Sequence, residues 1–588
     1  MPTAGHTRRS IVEHLLGSAL FAGIDAATLE NLHPPFEWIS VEGGQRILHQ
    51  GDVGTHFYML VHGRLKVSVG DVDGTERQVG HVSAGQGVGE MSLIGHRTVS
   101  ANVTAERDSD LIRCSSETFA DLLRTSPSAA LNITRIIIER LDAALHGAKV
   151  DRKLSTIVLA AATPSIDLDA IARAFEAALA LLGPVGVIRQ SESNVDDFNA
   201  YLHAQEDRFS HVLLVCPFGS NEWLERCIRQ GDRVLLLANA EENPAAATQG
   251  AVLGLTPADL VLLHGHSFRR DSFSRRWRER FALQELYHVR KDQPADFQRL
   301  SRIVTGRANN LVLSGGAAHS FVQIGVIRAL QEAGIPIDRV CGTSMGALIA
   351  AQYSMGMTWA EMSEQNRRIW VDGKPLSDFT FPAMAIVRGR KLQTLVRDAL
   401  GERDIEDLPI PFSCTSTNLT HARQEFHRSG SLWRAVRASG TIPGIGPPLF
   451  VDGDLLVDGG VLSNSPMGVF MRHYAGSVIS VDAGVRSMAP VDLSWNDRVD
   501  SGWSMLWHRL NPFRTSARLP SIVDILYRTA TVGSVSGDRR SAEADLHFSF
   551  DVAEYPPSRF SAIEAIAEKG YVLAREQLAH ADLSVFSR

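Results

Sequence analysis

The spacing of apolar and polar positions changes several times along the chain, and each change predicts a different structure. Residues 11–33 carry apolar side chains at helical spacing. From 36 to 113 short apolar runs, Gln45–Leu48, Phe57–Val61, Leu65–Val69 and Asp110–Arg113, alternate with glycines at 43, 44, 51, 63, 70, 74, 85, 87 and 89. Short strands between glycine turns predict a β-roll or small barrel. Helical spacing returns over 115–141, so helices close the roll at its C-terminal end. Over 155–300 the continuous apolar runs Thr156–Ala161, His211–Val215, Arg233–Leu237 and Leu260–His264 alternate with helical patterns at Leu168–Leu182 and Trp223–Arg229. Apolar strands buried between helices predict a parallel α/β layer.

Beyond 305 the pattern reads strand, turn, helix, twice over. Leu311-Val312-Leu313 opens into Ser314-Gly315-Gly316-Ala317-Ala318-His319-Ser320, and a helix runs from Val322 to Ala333, where Gly334 and Pro336 stop it. Then Ile335–Val340 leads into Cys341-Gly342-Thr343-Ser344-Met345-Gly346-Ala347 and a strong helix former. A serine with glycine two positions away on each side, between strand and helix, has the arrangement of a nucleophile elbow. The turn is tight enough to strain Ser344, and side chains at 342 and 346 would collide with the adjoining strand and helix. The earlier turn forms a nest of backbone amides for an anion. It lacks a Walker lysine and the dinucleotide spacing, so an oxyanion hole at Gly315, Gly316 and Ala317 fits better than a nucleotide site. A third piece, Leu455-Leu456-Val457-Asp458-Gly459-Gly460, ends an apolar strand on an aspartate with open backbone behind it, whereas Asp452-Gly453 reads as a hairpin turn.

At 588 residues the chain is too long for a single core. Its 44% hydrophobic and 21% charged content is that of soluble globular domains, and a net charge of -7 without a Lys/Arg block argues against nucleic acid. The cysteines at 114, 216, 227, 341 and 414 form no CxxC pair and read as buried thiols, with neither disulfides nor metal implied. Glu13 and His14 interrupt the apolar N-terminal stretch, and no segment of about 18 apolar residues exists. The expectation is a cytoplasmic protein, without signal peptide or transmembrane helix, that touches membranes only at their surface. The basic aromatic segment 268–280 reads as a solvated helix face, with a membrane-surface contact as the alternative. His211, Asp232 and His264 read as strand-end or surface residues rather than ligands.

Two resemblances extend this reading. Gln50-Gly51-Asp52, the Gly63 turn and Gly89-Glu90-Met91-Ser92-Leu93 resemble the cyclic nucleotide-binding domain. The resemblance implies that Glu90 accepts from a ribose hydroxyl and that an arginine about nine residues later pairs with the cyclic phosphate. That position is Val99 here, the nearest cation being Arg97. A phosphate without its guanidinium loses a contact worth several kcal/mol. The roll therefore reads as a regulatory or docking module, with a cyclic nucleotide effector at Gly89, Glu90, Arg97 and Ser100 as the alternative.

The glycine-rich loop, GTSMG and Asp-Gly-Gly, in that order, resemble the patatin-like phospholipase family. Residues 226–232, His288-Val289-Arg290 and Arg437–Gly444 are similar to segments of its neuropathy target esterase branch, as is Ile563–Tyr571, which resembles the closing helix. The implied organisation is multidomain α/β: a cyclic nucleotide-binding-like β-roll with helices (1–150), an α/β middle domain (151–305), a patatin-like α/β/α catalytic domain (306–475) and a C-terminal extension packing on it (476–588). The implied chemistry is lipid-acyl hydrolysis of phospholipid or lysophospholipid, with Ser344 as nucleophile and Asp458 as its base, and with no cofactor. Gly342 and Gly346 shape the elbow, and Gly459 and Gly460 follow the base. The family loop reads Gly-Gly-Gly-x-Arg/Lys-Gly; here Ala317 and Ser320 add Cβ atoms where positive φ is expected, and His319 replaces the cation. Those departures keep two alternatives open, a catalytically weak sensor or scaffold and an acyltransferase using the same acyl-enzyme. Head group, chain length, oligomeric state and source are not legible.

Overall fold

The computed structural model describes residues 7–70, 76–95, 97–146, 156–192, 198–246, 258–268, 274–281, 283–484, 526, 529, 543–552 and 554–586. The chain separates into two compact units. One holds Met1–Ala238, Ala245–Leu260 and Phe281–Gln284; the other holds Asn239–Pro244, Val261–Arg280 and Glu285–Arg588.

The first unit begins with eight short strands: β1 Glu37–Val41, β2 Arg46–Leu48, β3 His56–His62, β4 Leu65–Gly70, β5 Glu76–Val82, β6 Gly87–Val88, β7 Asn102–Ala105 and β8 Ser109–Ser115. They form two four-stranded sheets, ordered β1-β8-β3-β6 and β2-β7-β4-β5. Leu60, Leu65, Val82, Val103 and Leu111 come from both sheets and make one core. Helices Arg8–Leu16, Ser116–Thr125 and Pro127–His146 bury a second cluster, in which Phe57 stacks on Phe119 at 4.9 Å. Strands β9 Thr156–Ala161, β10 Val185–Arg189, β11 His211–Cys216 and β12 Arg233–Asn239 then pair in parallel in the order β10-β11-β9-β12. β9 and β11 are buried at every position, which is why their sequences are continuously apolar rather than alternating.

Ionic contacts join the roll to this layer. The Arg107 guanidinium, only 5% exposed, reaches both oxygens of Glu206 at 2.6 and 2.8 Å. Burial pushes the Glu206 carboxyl up, but bonds from His203 and Arg107 outweigh it and hold the group well below its ordinary value. Arg64 pairs with Asp232 beside it, and Arg229 with Asp108 at 3.1 Å. Asp232 immediately precedes β12 and His211 opens β11, the strand ends that the sequence suggested, but both side chains are buried rather than at the surface.

The division between the units passes within β13 Ala258–His264 and β14 Leu283–Arg290. His264 is likewise buried, with its Nε2 2.7 Å from His288 Nδ1. In the helix Ser274–Arg280, Trp277 is wholly buried while Arg275 pairs with Asp404 and Arg278 with Glu406. Within the described residues 274–280, Arg275, Arg276, Glu279 and Arg280 are exposed, the solvated helix face that the sequence suggested, and Trp277 anchors its inner side.

The second unit is built on β15 Asn309–Leu313, β16 Arg339–Thr343, β17 Phe412–Asn418, β18 Arg423–His427, β19 Leu449–Val451, β20 Asp454–Asp458, β21 Ser477–Asp482 and β22 Leu546–Ser549. The order is β19-β20-β17-β16-β15-β21-β22, with β18 paired to β17. β15, β16 and β21 are parallel neighbours, and β20 runs antiparallel to β17. The stretch beyond 475 thus supplies two strands of the sheet as well as the long helix Ile563–His580, which packs on Val322–Glu332. That crossing is close: a Cβ at Gly325 would lie 2.0 Å from Ala567 O, and one at Gly570 2.4 Å from Val322 O. Trp495, Trp503, Trp507, Phe513 and Leu519, which the sequence offers as core or as an interfacial patch near the cleft, lie outside the described residues. Among the described residues no helix is long and apolar enough to cross a membrane.

Candidate active site

Ser344 sits between β16 and the helix Met345–Ser354, at φ 55° and ψ -124°, a region that L-residues rarely occupy. The flanking glycines are there by steric necessity. A Cβ at Gly342 would lie 2.3 Å from Gly346 O, and one at Gly346 2.6 Å from Ser314 O. The strand, the following helix and the neighbouring loop converge so tightly that only hydrogen fits at either position.

The end of β20 brings Asp458 to this turn. Ser344 Oγ donates to Asp458 Oδ2 at 2.6 Å, and Gly460 N–H donates to Oδ1 at 2.8 Å. Asp458 is buried, and that burial raises its pKa to about 6 against the lowering effect of the two bonds. A carboxylate with that affinity for a proton, bonded to a hydroxyl on a strained turn, is suited to take the hydroxyl proton near neutral pH. His319 stands apart. Its Nε2 bonds to Tyr555 O, and burial holds its pKa down, so the loop carries a neutral imidazole rather than a cation.

The glycine-rich loop is fixed from beneath. Asn464 Nδ2 donates to Gly315 O at 2.8 Å, and Gly315 N–H donates to Asn464 O at 3.0 Å. That occupied amide removes Gly315 from the three expected oxyanion donors. The amides of Gly316 and Ala317 have no partner among the described residues. Of the two departures from glycine, Ala317 takes a positive φ of 49°, while Ser320 lies in the short helix Ala317–Phe321 without one.

Ser439, at the end of the helix Leu432–Ser439, accepts from Ser344 N–H at 2.8 Å, and Thr441 O accepts from Asp458 N–H at 2.8 Å. One short segment thus holds the backbones of both Ser344 and Asp458. Ser439, Thr441 and Asn464 were not singled out from the sequence; the only signal was that the first two fall within Arg437–Gly444.

Ser344 opens into an apolar cleft of about 820 Å³, counting its mouth. Leu392, Val396, Val436 and Ile445 line it, and Trp370, from a π-helical turn at Arg367–Asp372, stacks on Phe560 at 4.6 Å to form one wall. Arg437 is the single charged residue of the lining. Among the described residues its guanidinium bonds only Pro447 O, at 3.5 Å, and burial lowers its pKa.

In the roll, Gly89 has φ 94° and packs against His56 O, as a phosphate-loop glycine would. Glu90 is buried, but its partner is Arg140 of the helix Pro127–His146, at 2.6 Å. Arg97 and Ser100 are exposed, and neither bonds Glu90 among the described contacts. Val99 is buried. The structure therefore joins Glu90 and the Gly87 carbonyl to Arg140, and not Glu90 to the two other residues expected there.

Comparison with known proteins agrees with these parts. Residues 38–126 match the cyclic nucleotide-binding domain, 197–299 the neuropathy target esterase family P-loop like domain, and 311–471 the patatin-like phospholipase family. Patatin-like phospholipase domain-containing protein 7 of Mus musculus is 29% identical over 91% of this chain and 44% of its own length. Protein 6 of the same series, also from Mus musculus, is 30% identical over 85% of this chain and 42% of its own. Lysophospholipase nte1 of Aspergillus oryzae is 26% identical over 93% and 42%. The chain thus spans less than half the length of these relatives. Among solved structures, the catabolite activator protein of Thermus thermophilus matches 28% of this chain and 71% of its own at 25% identity, with a TM-score of 0.21. In this order the chain therefore carries a cyclic nucleotide-binding domain, a neuropathy target esterase family P-loop like domain and, over residues 311–471, a patatin-like phospholipase domain.

Proposed function

We propose that this protein is a serine carboxylic ester hydrolase that releases fatty acid from phospholipid or lysophospholipid. The observation that carries the proposal is the 2.6 Å bond from Ser344 Oγ to the buried Asp458 at the floor of an apolar cleft. Asp458 takes the Oγ proton as Oγ bonds to the ester carbonyl carbon. The carbonyl electron pair moves onto oxygen, where the free amides of Gly316 and Ala317 receive it, as an oxyanion hole does. Collapse breaks the acyl–oxygen bond, and the proton on Asp458 passes to the departing glycerol oxygen. Water then attacks acyl-Ser344 by the same steps in the same order, giving the free acid.

Two features support a phosphate-bearing lipid as substrate. The cleft lining is mostly apolar, as an acyl chain requires, and Arg437 is a half-buried guanidinium with no carboxylate partner among the described residues. A relative whose name is lysophospholipase points the same way.

We read the N-terminal domain as a regulatory or docking module. Arg140 already neutralises Glu90, and the buried Val99 offers no charge to a cyclic phosphate. Calorimetry with cAMP and cGMP is expected to show no micromolar binding; micromolar binding lost in Arg97→Ala would reverse this.

The hydrolase reading is tested with a fluorophosphonate probe. Wild type is expected to label at Ser344, and Ser344→Ala to remain unlabelled. A wild type that reacts no faster than the alanine variant would leave a scaffold as the better reading.

A further inference from the structure

The rim of the cleft carries a feature that acyl chemistry does not use. Leu376, Val387 and Gly389 line the cleft, and the chain between them folds back on itself as a hairpin. Phe379 bridges Val387, and Thr380 N–H donates to Ile386 O at 2.9 Å. The hairpin is fastened at its base, where Ile386 and Val387 N–H donate to Gly444 and Ile445 O at 2.9 and 3.0 Å. Ala385 and Val387 point inward and are buried. The tip is the reverse: Phe379 is 67% exposed, Phe381 85% and Met384 58%. Pro447 packs against Gly389 on the same rim, and three residues beyond it Phe450 is 65% exposed.

Single exposed apolar residues are ordinary, but large ones concentrated on one fastened hairpin leave water in contact with surface that a soluble fold normally covers. The same stretch carries Lys374, Arg388, Arg390 and Lys391, all exposed and none paired with a carboxylate among the described residues. Its one aspartate within 374–391, Asp378, is turned back to accept from Lys391 N–H. Aromatic tips flanked by unpaired cations are complementary to a surface with an apolar interior and anionic head groups.

We infer that the hairpin 379–387, with Phe450 beside its base, inserts into an anionic phospholipid bilayer and seats the cleft mouth in the head-group layer. The inference rests on the reading of the cleft as an acyl-ester site, because it brings an ester to Ser344 without the chain having to leave the lipid. Phe379, Phe381 and Met384 enter the interface while the cations stay at head-group level. None of them touches the reacting atoms, so they serve access rather than chemistry.

The test uses the full chain and extruded vesicles of phosphatidylcholine, alone or with about one third phosphatidylglycerol. Wild type is expected to pellet with both, more strongly with the anionic vesicles. The double variant Phe379→Ser/Phe381→Ser is expected to lose about tenfold or more in partitioning to either. The triple variant Arg388→Gln/Arg390→Gln/Lys391→Gln is expected to keep binding phosphatidylcholine and lose the anionic preference. Both should keep the wild-type urea midpoint and the wild-type rate on a soluble short-chain ester. Undiminished vesicle binding by the double variant overturns the inference, as does a wild type that pellets with neither lipid. So does a double variant that loses self-association in light scattering but not vesicle binding, since the hairpin would then face a second copy of the chain. If no ester is hydrolysed by wild type while vesicle binding still follows the two variants, the docking surface stands and the hydrolase reading fails.

Discussion

At the scale of single residues, the site depends on an aspartate kept in an environment that opposes its charge. Burial lifts Asp458 to about 6 from an ordinary 3.8, so the folded protein binds that proton more tightly than the unfolded chain does. Stability from this group is complete below pH about 4 and is lost as pH rises through about 6, a change on the order of 3 kcal/mol. Activity runs the opposite way, because only the ionised carboxylate can take the Ser344 proton. Ester turnover is therefore expected to rise with pH along a limb centred near 6, measured as kcat/KM from pH 4.5 to 8, with Asp458→Asn more stable to urea than wild type at pH 8 and inactive. Ala317 presents a different strain. Its φ of 49° puts a Cβ against its own backbone at a cost of about 1 kcal/mol, so Ala317→Gly is expected to raise the urea midpoint or leave it unchanged, with activity retained. The sequence already marked this position, because positive φ is a local property that residue identity reports. It could not assign a role to Ser439 or Asn464, because those roles exist only where the helix after β18 and the turn after β20 meet the elbow and the glycine-rich loop.

At the scale of elements, legibility followed the same physics. β9, β11 and β12 announce themselves as continuous apolar runs because both their faces are buried. β14 does not, since Gln284, Glu285 and His288 interrupt it: Gln284 is exposed, whereas Glu285 and His288 meet partners distant in sequence, Arg428 at 3.4 Å and Glu406 O at 2.7 Å. β5 and β7 mix polar with apolar residues, and their pairing partners rather than their composition define them. The closing helix was visible as a resemblance, but its purpose comes from the crossing at Gly325 and Gly570, which lets it lie directly on the helix that follows the glycine-rich loop. Gly570→Ala puts a methyl group within 2.4 Å of Val322 O and is expected to destabilise the second unit by about 2 kcal/mol, read as a lower urea midpoint. An unchanged midpoint would mean that the two helices separate without loss.

At the scale of the molecule, three family modules lie along one chain, and the proposed chemistry is confined to the second unit. Within the first unit, the Arg107–Glu206 and Arg64–Asp232 pairs commit the roll to the α/β layer, so the cyclic nucleotide-binding domain is not a loosely tethered appendage of that layer. Neither pair was foreseeable, because each partner alone reads as a solvated charge. That Ser344 and Asp458 would meet was an expectation of the elbow and the Asp-Gly-Gly turn, and the two side chains are hydrogen-bonded in the structure. The most direct test is fatty acid release from lysophosphatidylcholine by wild type, Ser344→Ala and Asp458→Asn, each with and without added cyclic nucleotide. The account predicts turnover by wild type that falls by about a thousandfold or more in both variants and does not respond to the nucleotide. Equal release by all three proteins would contradict it.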